Sequence, residues 1–186
     1  FHSSNAKHSW MHEGGADAFA YRAMRDLKVI SKSRFLEYVN ASLNKCILQL
    51  DAPYPLVESF DRRLFKNYYY CGSTIGMLTE LSLKKGDLFL FWKKLFAQSQ
   101  ANENEYTDSM YFDLLHELSS HKQLVAKLKS ITHGNLTNTG DQFKELFEDF
   151  NIPILPLQTG KKNMAKRIAD KLLTQIYKHD CNGKLN

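Results

Sequence analysis

Trp10-Met11-His12-Glu13-Gly14-Gly15-Ala16-Asp17-Ala18-Phe19-Ala20 is the stretch whose reading decides the fold. Gly14, Gly15, Ala16, Ala18 and Ala20 give a helix whose backbone another helix or a bound ion can approach closely. Inside a helix a glycine costs about 1 kcal/mol relative to alanine, so two in succession require a reason in the packing. One carboxylate, Glu13, lies within this run of small residues.

Outward from there, the spacing predicts a helix from Trp10 to about Leu27, with Trp10, Ala16, Phe19 and Ala20 on its buried side. Ser31 or Ser33 caps a second helix carrying Phe35, Val39, Leu43, Ile47 and Leu50 at helical spacing. It ends at Asp51-Ala52-Pro53-Tyr54-Pro55, where each proline disfavours helix in the residue before it. Leu56 to Lys66 reads as a short helix or an extended approach to Asn67-Tyr68-Tyr69-Tyr70-Cys71-Gly72-Ser73-Thr74-Ile75-Gly76-Met77-Leu78-Thr79-Glu80-Leu81. There Gly72, Ser73 and Gly76 again permit close packing, directly after an aromatic run.

Gly86-Asp87 starts a helix with Phe89, Trp92 and Phe96 as core positions, and Thr107-Asp108 caps one with Tyr111, Leu114, Leu115 and Leu118. Leu124, Val125, Leu128 and Ile131 mark a further helix, or a continuation after a bend at Ser119-Ser120. Phe143, Leu146, Phe147 and Phe150 mark another, and Met164, Ile168, Leu172 and Ile176 a last amphipathic one. No run alternates long enough to be a strand, so the fold class is all-α, a helical bundle of about seven to eight helices. The chain divides into residues 1–157 and a basic amphipathic helix and tail at 158–186, packed on or appended to the same domain.

Composition excludes some functions. Basic residues number 25 and acidic residues 20, both spread along the helices, so the formal charge of +5 does not make a nucleic-acid surface, and no such motif is present. Lys161, Lys162, Lys166, Arg167, Lys171 and Lys178 make the last quarter basic, either as a solvated face or as a surface for an acidic partner. Cys46, Cys71 and Cys181 are odd in number and widely spaced, which reads as buried or incidental thiols rather than a disulfide framework. No apolar run approaches the length of a membrane span. Asn40-Ala41-Ser42 and Asn135-Leu136-Thr137 fit the glycosylation sequon, a match that arises by chance at this length. Neither compartment nor oligomeric state follows from the sequence.

The Trp10–Ala20 stretch resembles the Trp-x-x-Glu-Gly-x-Ala helix of the gluzincin metallopeptidases, which include aminopeptidase-N-like and glycyl-aminopeptidase-like enzymes. The resemblance maps the third zinc ligand of that family onto Glu13, with Trp10, Gly14 and Ala16 at the flanking positions. The second stretch resembles the family's Tyr-x-Lys-Gly helix, which places the active-site tyrosine at Tyr69, with Cys71 where lysine is usual. In another register Tyr68 or Tyr70 takes that role. By this resemblance the chain is the C-terminal helical part of a zinc-dependent peptidase, of aminopeptidase type, acting on peptide or protein substrates. The HExxH helix that would carry two histidine ligands and the general base is absent from the sequence, so it is expected upstream of Phe1. Zinc is then the cofactor of the complete protein and the fragment alone is inactive.

Each assignment has a plainer counterpart. Glu13 alone reads as a residue favoured by the helix N-terminal dipole. Asp17, one turn later, either supports the zinc ligands or faces solvent. Tyr69 either donates to an oxyanion or joins Tyr68 and Tyr70 in sealing the core. His8 and His12 share a helix face, from which Glu13 points away by about 100°. In a different functional class, the chain is a non-catalytic helical interaction module or a degenerate peptidase relative.

Overall fold

The computed structural model describes residues 8–49, 55–84 and 86–134, together with the single positions 142 and 146. A π-helical segment, Trp10–Gly14, runs into α1, Gly15–Asp26. Then follow α2 (Lys32–Gln49), α3 (Phe65–Ser82), α4 (Leu88–Ser99), α5 (Asp108–Leu118) and α6 (Lys122–His133). A 3-10 turn, Leu56–Glu58, precedes α3. Among the described residues there is no strand, only an isolated bridge between Leu83 and Ser119, and the fold is all-α. The expected helices over 143–150 and 161–179, the unit 158–186 and Cys181 lie outside the described residues, although Leu146 is buried.

α3 is the hub. It is buried without interruption from Cys71 to Ser82, which explains why its sequence lacks a polar face. The π-helix and α1 lie along one side of it in almost backbone-to-backbone contact. A Cβ added at Gly14 would stand 2.5 Å from the Gly72 backbone, and one at Gly72 would fall on the carbonyl oxygen of Trp10. One turn on, a Cβ at Gly76 would lie 2.9 Å from that of Ala18. Another turn on, Arg22 Nε donates to Glu80 Oε1. The partners advance together along both helices, so α1 and α3 run parallel.

This geometry corrects the buried face expected of the first helix. Trp10 is buried as expected, but Ala16 and Phe19 are half-buried and Ala20 is exposed. The buried set is Trp10, Met11, Gly14, Gly15, Ala18, Arg22 and Arg25. Two causes combine. The wider i→i+5 winding of the π-segment rotates the phase of everything after it. The contact surface is also chosen by small size rather than by hydrophobicity. Arg22 and Arg25 enter because each has partners: Arg22 binds Glu80 and Asp26, while Arg25 binds Asp26 at 2.7 Å and lies 5.1 Å over the Phe35 ring.

α2 covers an adjacent side of α3, touching α1 where Tyr38 stacks on Tyr21, and runs antiparallel to α3 through Tyr38 to Ser73, Ser42 to Ser73 and Lys45 Nζ to the Tyr70 hydroxyl at 2.6 Å. Ser31, not Ser33, caps it by accepting from Arg34 N–H at 3.1 Å. The same pairing brings Cys46 and Cys71 together in a disulfide, with their Cα atoms 4.8 Å apart. The reading of these two as unpaired thiols is therefore corrected. Partners on two antiparallel helices leave no spacing signature in the chain. Ser42, the last residue of the first sequon, is itself buried between α2 and α3.

α4, α5 and α6 close the remaining side. Asp87 caps α4 by accepting from Leu90 N–H at 2.9 Å and Thr107 caps α5 by accepting from Met110 N–H, as their positions predict. Trp10 packs on Tyr111 and Phe112, and the Tyr111 hydroxyl meets Thr79 Oγ1 of α3 at 2.6 Å. α4 buries Leu88, Phe91, Trp92 and Leu95, whereas Phe89 is half-buried against Phe19. The chain breaks rather than bends at Ser119-Ser120, where both hydroxyls and the Ser120 N–H donate to the Ser82 carbonyl. Leu124, Val125, Leu128 and Ile131 of α6 are all buried, as their spacing predicts.

Gly72→Ala should destabilise the chain by more than about 3 kcal/mol, because the added methyl meets backbone that cannot rotate away. Gly76→Ala meets only the Ala18 methyl, so adding Ala18→Gly should restore much of the loss in a denaturant-unfolding cycle. Strict additivity of those two substitutions would contradict the contact.

Candidate functional site

The glycine crossing determines what stands beside it. Tyr69, Gly72, Ser73 and Gly76 share one face of α3, so the contact that seats Gly72 against Gly14 carries Tyr69 to the turn holding Glu13. The Tyr69 hydroxyl stands near enough to the Glu13 carboxylate for that carboxylate to hold the phenol's proton more tightly. Both residues are half-buried.

The three consecutive tyrosines go three ways. Tyr68 is buried, its ring 6.0 Å from Phe65 and stacked 5.1 Å from Tyr69. Tyr70 turns to α2, where Lys45 Nζ bonds its hydroxyl and lies 4.2 Å over its ring. Tyr68 and Tyr69 both feel the charge of Glu13, Tyr69 the more strongly.

Glu13 sits among groups that feel its charge. Burial first, then the hydrogen bond and charge of Glu13, push the Tyr69 phenol up to about 12. Burial and the same charge raise Tyr68, and push Tyr106 up to about 12. Asp17 is half-buried one turn away, its carboxyl raised first by burial and then by repulsion from Glu13. A phenol with a raised pKa keeps its proton at neutral pH and remains a hydrogen-bond donor.

Tyr106 was not legible in the sequence, where it falls in a polar loop between two helices. It is buried against Trp92 and Phe96, and its hydroxyl lies 3.2 Å from His12 Nδ1. His8 instead faces Asp108, at 3.6 Å, an acid that also contacts His133. His8, His12 and Glu13 therefore do not converge on a point. Among the described residues no three His, Cys, Asp or Glu side chains are grouped so as to hold a metal ion.

Tested against zinc, these residues fit as one oxygen ligand, Glu13, with a phenol donor beside it. A catalytic zinc needs three protein ligands and an open position, so two ligands would have to come from outside the described residues. No helix among the described residues is long and apolar enough to cross a membrane. Against protein-family models, curated proteins and solved structures, the chain matches none.

Tyr38, Tyr68, Tyr69, Tyr106 and Tyr111 all hold their protons more tightly folded than unfolded, chiefly through burial. Their stabilisation is complete below the ordinary tyrosine value of 10 and is lost as pH rises through their folded values. Urea unfolding followed across that range should show stability falling steeply above pH 10, and a flat profile to pH 12 would refute the burial of these hydroxyls. Asp17 has the opposite consequence at neutral pH, where its ionised form is the disfavoured one. Asp17→Asn should raise the melting temperature at pH 7, with the gain vanishing below the ordinary carboxyl value of 3.8.

Proposed function

We propose that this chain is the C-terminal helical portion of a zinc-dependent metallopeptidase of the gluzincin type, with Glu13 as the third zinc ligand and Tyr69 as the donor to the oxyanion. The observation that carries the reading is the placement of Tyr69 beside Glu13 at the edge of the Gly14–Gly72 contact, close enough for the carboxylate to raise the phenol. Two stretches singled out separately in the sequence, 56 positions apart at these residues, meet in space with the Tyr69 phenol beside the Glu13 carboxylate.

In this reading Glu13 and two histidines of an HExxH helix would hold the metal, which would supply Lewis-acid polarisation and a water of lowered pKa. The residues of this chain do the rest. Glu13 brings a negative oxygen into a half-buried turn whose helix is fixed by its glycines. The Tyr69 phenol, protonated up to about 12, stands ready to donate where charge develops on a peptide carbonyl oxygen during attack. Tyr68 stacks on Tyr69 and limits its swing. Asp17, one turn on, adds negative charge near the ligand. Peptide or protein substrates follow from this chemistry, and aminopeptidase specificity from the resemblance alone.

In the full-length protein, Glu13→Gln should abolish stoichiometric zinc, measured by elemental analysis, while leaving the circular-dichroism spectrum unchanged. Full zinc retention would show that the ligand lies elsewhere. Tyr69→Phe should lower kcat by about 10²–10³ with a smaller change in KM, as for loss of one oxyanion donor. Unchanged turnover would return Tyr69 to a packing role.

A further inference from the structure

Cys46 and Cys71 are both fully buried and covalently joined, bridging α2 to α3 across 25 positions of sequence. Their Cα separation of 4.8 Å lies within the range natural disulfides adopt. Cys71 immediately precedes Gly72 and stands two residues from Tyr69. The bond therefore fastens the turn of α3 that meets Gly14 and carries the Tyr69 phenol. Among the described residues, α2 also bonds α3 through Tyr38 and Ser42 to Ser73 and through Lys45 to Tyr70.

We propose that the Cys46–Cys71 disulfide is a covalent lock on the Tyr69–Gly72 turn, and that the protein acquires its folded site in an oxidising compartment. Structural disulfides persist in such compartments and are rare where thiol buffers keep cysteines reduced. The bond forms by exchange with a donor disulfide, small or protein-borne. One cysteine thiolate attacks it, giving a mixed disulfide and releasing the first donor thiol. The second cysteine thiolate then attacks the mixed disulfide and releases the other. The two cysteines lose two protons and two electrons, and the donor is reduced to its two thiols. Once formed, the bond is shielded, because neither cysteine is exposed and a reductant reaches it only when α2 and α3 part. The proposal rests on the peptidase reading only in calling Glu13–Tyr69 the site, and its test does not use activity.

Cells making the native full-length protein are quenched in acid and alkylated with N-ethylmaleimide before lysis, and the purified protein is digested with trypsin without reduction. Peptides 46–62 and 67–84 should be recovered joined, and should separate on reduction. Recovery of both as alkylated, unlinked peptides overturns the proposal. In a second measurement, Cys46→Ser, Cys71→Ser and the double variant are unfolded in urea beside the oxidised and reduced wild type. Closing a loop of about this length should lower the unfolding equilibrium constant by roughly a hundredfold. The three variants and the reduced protein should lose that factor equally, whereas oxidised wild type matching the double variant overturns the lock. Loss of zinc or of turnover with the disulfide intact would count against the peptidase reading and leave this inference standing.

Discussion

The structure depends on one contact, the approach of the Gly14 turn to Gly72, where two helical backbones meet with no side chain between them. Nothing larger than a hydrogen fits at either position. The crossing fixes the register of α1 on α3, and the register then pairs Ala18 with Gly76 and Arg22 with Glu80. The buried ion pair at the far end is a consequence of this alignment and also its check. Removing one partner of such a pair leaves an uncompensated buried charge, at a cost of about 3–5 kcal/mol, so a slip along the crossing is strongly opposed.

The site follows from the same constraint. Tyr69 is on the α3 face that carries Gly72 and Gly76, and Glu13 immediately precedes Gly14, so the crossing that excludes side chains at its centre delivers a phenol and a carboxylate to its edge. The π-winding of Trp10–Gly14 belongs to this arrangement. It directs the Trp10 carbonyl at the Cα of Gly72, and any Cβ there would collide with it. Such segments recur at functional sites because they cost backbone stability and persist only where surrounding contacts over-determine them. Here α3, Trp92 against Gly15 and the Tyr106–His12 contact surround the segment.

Much of the fold could be read locally. The capping residues Ser31, Asp87 and Thr107 start the helices they predict, and the apolar spacing of α6 identifies its buried face, because both signals act within one or two turns. The buried face of α1 was not readable, because its phase is shifted by the π-segment and its contact surface is selected by size. Cys46 and Cys71 gave no warning of their bond, which depends on the antiparallel seating of α2 on α3. Glu13 and Tyr69 were singled out from short patterns, and the fold brings them together. Tyr106 had no pattern at all, because a residue in a short connection is placed by the helices around it.

The most direct test of the account is a crystal structure of the full-length protein, with an anomalous difference map collected at the zinc absorption edge. If Glu13 is the third zinc ligand, a single strong peak is expected at coordination distance, about 2.0–2.2 Å, from a Glu13 carboxylate oxygen. A zinc peak remote from Glu13, or a Glu13 carboxylate with no metal near it in zinc-replete protein, would contradict that assignment.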